Sequence, residues 1–71
     1  MTISVNGKPT LIETPRTTVT DILVLHNVRS PEVVSVQLNG DFLEHRNFAS
    51  TYLDDGDEVE ILYFMSGGER G

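Results

Sequence analysis

Residues 58–65, Glu-Val-Glu-Ile-Leu-Tyr-Phe-Met, set Val59, Ile61, Tyr63 and Met65 in alternation with Glu58, Glu60, Leu62 and Phe64. A period of two, carried by β-branched and aromatic residues, describes a strand rather than a helix. Its first half alternates acid with apolar, as a strand with one wet face does. Leu62 and Phe64 then place apolar groups on that wet face. Either a partner docks on them, or they form a second core layer under the hairpin spanning 36–43. Ser66-Gly67-Gly68 follows at once, removing every bulky side chain where the strand stops. The pattern predicts a tail that can enter a narrow slot.

A chain of 71 residues is one domain, and at that size only roughly 60% of the unfolded surface becomes buried. No deep catalytic pocket fits in it. The apolar content of 38% and charged content of 23% are those of a globular protein. Eleven Asp and Glu against five Lys and Arg give a net charge of −6, which repels phosphate backbones, so nucleic acid is not an expected partner. Cysteine is absent, which rules out a disulfide staple, a thiol nucleophile and a side-chain thioester. There is neither a long apolar run nor a cationic leader with a hydrophobic segment, so no membrane partner is expected and the location is expected to be cytoplasmic.

The rest of the chain supplies the partners of the last strand. Ile3 and Val5 alternate within Thr2–Asn6, and Asn6-Gly7 is a two-residue turn of type I′ character. Pro9 to Glu13 returns, with Pro9 tolerable at the strand start. Thr18, with Asp21 three residues on, marks a helix N-terminus. Val19, Ile22, Leu23 and His26 share one helical face over about three turns, and Asn27 to Pro31 stops the run. Val33 to Leu38 is a further strand, Asn39-Gly40 a second hairpin turn and Asp41–Glu44 its return. Residues 45–53 carry Phe48, Tyr52 and Leu53 at irregular spacing, which fits a short 3₁₀ or α turn. Asp54-Asp55-Gly56-Asp57 is a turn feeding the last strand.

Hairpins at both ends leave the first and last strands as parallel neighbours in mid-sheet. The expected fold is an α+β β-grasp, ubiquitin-like, with a mixed sheet of about five strands packed on one main helix. Ile3, Val5, Val19, Ile22, Leu23, Val59 and Ile61 are its predicted core. The division is a β-grasp domain at 1–66 and a flexible glycine tail with a removable extension at 67–71.

With that element order, the turn Asp55-Gly56-Asp57 and Gly67-Gly68 one strand length later, the chain resembles the ThiS/MoaD-type sulfur carriers, prokaryotic relatives of ubiquitin, and is closest in length to the thiamine-biosynthesis ThiS type. The resemblance implies a cosubstrate protein rather than an enzyme. Its terminal glycine would be adenylated by an ATP-using, E1-like enzyme and converted to a thiocarboxylate. The sulfur would pass to an accepting synthase, such as a thiazole synthase. The carrier itself would bind no cofactor. Glycine suits the task because an α-carbon without a side chain lets both the slot and the incoming sulfur approach closely. Such carriers end at Gly-Gly, whereas Glu69-Arg70-Gly71 follows here. The implied acceptor is Gly68 after a processing peptidase removes the tripeptide, with Gly71 the alternative. Gly67 belongs to the tail, and Leu62, Phe64 and Met65 are the expected partner contacts. A ubiquitin-like modifier joined to lysine, and a non-covalent β-grasp binding module, remain the other readings.

Two further groups of residues carry weaker chemistry. Asp54, Asp55, Asp57, Glu58 and Glu60 crowd five acids into seven residues, but lack the spacing and distal Glu of a calcium loop. They fit a turn and a wet strand face that could steer a basic rim. His26 and His45 stand alone, without a second ligand pair or a neighbouring Ser, so no metal or catalytic role is expected of them.

Overall fold

The computed structural model describes residues 1–63. Strands β1 (Thr2–Val5) and β2 (Lys8–Leu11) form the first hairpin, helix α1 spans Val19–Leu25, β3 (Val34–Leu38) and β4 (Asp41–Leu43) form the second hairpin, and β5 is Glu58–Tyr63. Short 3₁₀ turns occupy Pro31–Val33 and His45–Asn47. The sheet runs β2-β1-β5-β3-β4, with β1 and β5 parallel and the remaining pairs antiparallel. The last strand is central and parallel to the first, as hairpins at both ends of the chain predict.

Both hairpins turn where the sequence places them. Asn6 and Gly7 have φ of 52° and 82°, Asn39 and Gly40 of 53° and 87°. Two successive left-handed residues define the type I′ turn, whose twist matches that of its strands. Pro9 is the second residue of β2, not the first. It opposes Ser4, whose N–H is directed away from β2 to the Asp57 carbonyl, 2.9 Å away. The Pro9 nitrogen therefore faces the open edge and removes no ladder bond, which is the position a sheet tolerates.

The helix begins as expected and ends early. Thr18 accepts from the Asp21 N–H at 3.2 Å, and the Asp21 carboxylate accepts from the Thr18 N–H at 2.9 Å, a complete capping box. Seven residues make about two turns, fewer than the three expected. Asn27 adopts φ of 61°, its N–H donates to the Val24 carbonyl at 3.0 Å, and the Val28 N–H donates to Leu23 at 2.9 Å. That paired closure ends the helix one turn sooner. His26, expected on the buried face, becomes the C-terminal cap and is exposed.

Val19, Ile22 and Leu23 of α1 pack on Ile3, Val5, Val59 and Ile61, all at most 4% exposed, as the sequence predicts. Val34 and Val36, on one face of β3, join them. Ile12, Phe48 and Leu53 complete the core from outside the regular elements. Phe48 and Leu53 are drawn in by backbone bonds to the start of the helix. The Val19 and Thr20 N–H groups donate to Thr51 and Phe48 carbonyls at 3.1 and 3.2 Å, and the Leu53 N–H donates to Thr17 at 2.9 Å. The 45–53 segment thus satisfies two donors that every helix N-terminus leaves open.

Candidate functional site

The candidate site is the end of β5 from which the tail departs. Successive residues of β5 face opposite sides of the sheet: Val59 and Ile61 are buried under α1, and Glu58, Glu60 and Leu62 lie on the outer face. Leu62 is 46% exposed, so it does not belong to a second core layer. Tyr63, at the end of the helix side, is 51% exposed. The remaining expected site residues, Phe64, Met65, Gly67, Gly68, Glu69, Arg70 and Gly71, lie outside the described residues, and so does the 66/67 domain boundary.

The outer face holds an apolar group that the sequence reading did not single out. Gln37 stands between Glu60 on β5 and Phe42 on β4, which is 62% exposed. The hairpin register contained the signal, since a two-residue turn at Asn39-Gly40 pairs Leu38 with Asp41 and Gln37 with Phe42. Phe42 must then share a face with Gln37 and not with Val36. Beside it lies an open hollow of about 290 Å³ whose lining includes Ser4, Gln37, Glu58 and Glu60. Two carboxylates at its wall suit a cationic or polar group of a protein partner.

The acids near the strand's start hold it in place. Asp55 accepts from the Thr2 N–H at 2.7 Å, and Asp57 accepts from Asn39 Nδ2 at 3.0 Å and from the Asp54 N–H at 2.8 Å. Asn39 Oδ1 in turn accepts from the Glu58 N–H at 2.8 Å, and Asn6 Oδ1 from the Ile61 N–H at 2.7 Å. Side chains from both Asn-Gly turns therefore clip β5, a role that spacing alone does not show. Among the described residues no group of His and acidic side chains is arranged to hold a metal. His45 Nε2 lies 2.8 Å from the Val34 carbonyl oxygen, which can only accept, so that nitrogen carries the proton. Its ring, 5.0 Å from that of Phe48, stands where β4 has already ended and completes the β3 edge.

The sheet order and the central parallel strand describe a β-grasp fold, and the comparisons agree. Residues 3–68 match the family model described as the ThiS family. The chain belongs to the ThiS family. A crystal structure of the thiamine biosynthesis protein (ThiS) from Geobacter metallireducens is 45% identical, with a TM-score of 0.80, and the likeness covers 96% of this chain and 100% of that one. A solution structure of a thiamine biosynthesis protein from the same organism is 43% identical, also with a TM-score of 0.80, covering 100% of this chain and 92% of that one. A third relative, the uncharacterized protein ycf40 of Porphyra purpurea, is 31% identical over 68 residues, or 96% of this chain and 93% of its own. As a ThiS-family protein the chain is a small carrier, not an enzyme, and a sulfur-carrier role fits it.

Proposed function

We propose that the chain carries sulfur for thiamine biosynthesis on its terminal glycine, and that Gly68 is that glycine once Glu69, Arg70 and Gly71 have been removed. The observation that carries this reading is the family match itself, which runs through Gly68 and leaves the last three residues outside. In the first step the glycine carboxylate attacks the α-phosphorus of ATP on an E1-like enzyme, and pyrophosphate leaves. In the second, sulfide-level sulfur released by a sulfur donor attacks the acyl carbon as hydrosulfide, AMP leaves and a thiocarboxylate remains. A sulfur-accepting synthase, such as a thiazole synthase, then takes the sulfur. The carboxylate is a poor electrophile until AMP becomes its leaving group, so ATP belongs to the partner's chemistry and the carrier supplies reach.

Removal of the tripeptide follows from desolvation. Threading Glu69 and Arg70 into a slot sized for glycine would bury charges, at several kcal/mol each even when partly compensated. Leu62, Phe64 and Met65 are the proposed partner contacts, with Phe42 added from the outer face. The acids at the start of β5 steer a basic rim toward them.

The test compares the full-length chain with one ending at Gly68, each incubated with the adenylating enzyme of the same source, ATP and a sulfur donor, and then weighed. The trimmed chain is expected to exchange one oxygen for sulfur while the full-length chain stays unchanged. Thiocarboxylate on intact Gly71 would overturn the processing step and leave the carrier reading standing. Isopeptide conjugates to lysine in native cells would overturn the carrier reading itself.

A further inference from the structure

The hydrogen-bond ladder of β5 is continuous on one side and stops short on the other. Its residues aim their backbone groups alternately at the two neighbouring strands. Those of Glu58 face β3, where its carbonyl accepts from the Asn39 N–H at 2.7 Å, and Glu60 and Leu62 follow in register. Those of Val59, Ile61 and Tyr63 face β1, where the Val59 carbonyl accepts from the Asn6 N–H at 2.9 Å. On that side β1 gives out at its hairpin turn. Asn6 Oδ1 takes the Ile61 N–H. Beyond it, among the described residues, the Ile61 carbonyl and the Tyr63 N–H and carbonyl meet no protein group. A central strand thus has an unfilled place in the β1 row, at the root of the tail, with half-exposed Leu62 on one face and Tyr63 on the other.

We propose that this place is filled by an extended, antiparallel strand of the adenylating partner, lying in line with β1, so that the partner grips β5 by its backbone as the glycine enters its site. The proposal rests on the sulfur-carrier reading. The free groups name the occupant's chemistry: one donor between two acceptors along a strand is a ladder, and an antiparallel residue exchanges both its bonds with Tyr63. On the outer face the incoming strand passes Leu62 and ends beside the Glu60 carboxylate, which calls for an apolar side chain followed on the same face by a basic one. A second copy fits poorly, because each chain carries a net charge of −6.

Tyr63 allows the test to isolate the backbone. It opposes Val34 with its own N–H turned toward the gap, so Tyr63→Pro deletes the gap donor without touching the β3 ladder. Tyr63→Val loses the same phenol and keeps the donor. Adenylation is measured as pyrophosphate release by the cognate enzyme, on chains ending at Gly68 and on full-length chains, with circular dichroism to check folding. Tyr63→Pro is expected to lower kcat/KM at least tenfold relative to Tyr63→Val, mainly through KM. If the proline chain does not fold, a ligated protein with an ester in place of the residue 63 amide removes the same donor. Equal rates for the donor-less and valine chains overturn the proposal alone. A wild-type chain that is not adenylated in either form overturns the carrier reading and the proposal with it. A concentration-dependent dimer lost in Tyr63→Pro would assign the place to a second copy and overturn the partner strand.

Discussion

Asn6 and Ile61, 55 residues apart, are joined by a 2.7 Å hydrogen bond in which the turn's amide oxygen accepts the N–H of the central strand. The bond extends the parallel ladder one rung past the end of β1. It also couples the first hairpin turn to the strand that leads into the tail. Asn6→Gly keeps the left-handed turn but removes the acceptor, and is expected to destabilise the fold by about 1 kcal/mol. Urea unfolding checks the magnitude, and faster amide exchange at Ile61 checks the location. Unchanged exchange there would show that the clip contributes nothing.

Ile61 is 3% exposed in the centre of the core. Ile61→Ala is expected to cost about 2 to 5 kcal/mol, from lost transfer energy and the cavity left behind. That is a large share of the stability of so small a domain. A loss below about 0.5 kcal/mol would place the side chain in water instead.

Thr18 makes half of the capping box, and the other half is the Asp21 carboxylate. Thr18→Ala should lower stability by about 1 kcal/mol, measured by thermal unfolding. The cognate enzyme should still adenylate the variant at the wild-type rate, because the cap lies away from the end of β5. A selective loss of adenylation with unchanged stability would contradict this assignment.

Leu62 and Phe42 are exposed on the outer face, at 46% and 62%. Leu62→Ala, Phe42→Ala and Phe64→Ala are each expected to weaken association with the adenylating enzyme by about 1 kcal/mol or more while the fold stays intact. Titration calorimetry against that enzyme measures the loss. Wild-type affinity in all three would remove this face from the interface.

What the sequence by itself determined is local. The alternation of Val59 and Ile61 with Glu58 and Glu60, the two Asn-Gly turns and the Thr18–Asp21 cap are each set within a few residues, by pleat period, by φ and by one side-chain bond. They sufficed for the strand order and for the main core. What only the tertiary structure decided depends on segments meeting across the chain. Phe48 and Leu53 have no period of their own and are buried because their backbone completes the start of α1. His26 leaves the apolar face because Asn27 and Val28 close the helix against Val24 and Leu23. Among the described residues, the place beside Ile61 and Tyr63 is left open because β1 turns back before β5 ends. Relative strand lengths across a sheet are set by pairing between distant residues, and no spacing within one strand encodes them.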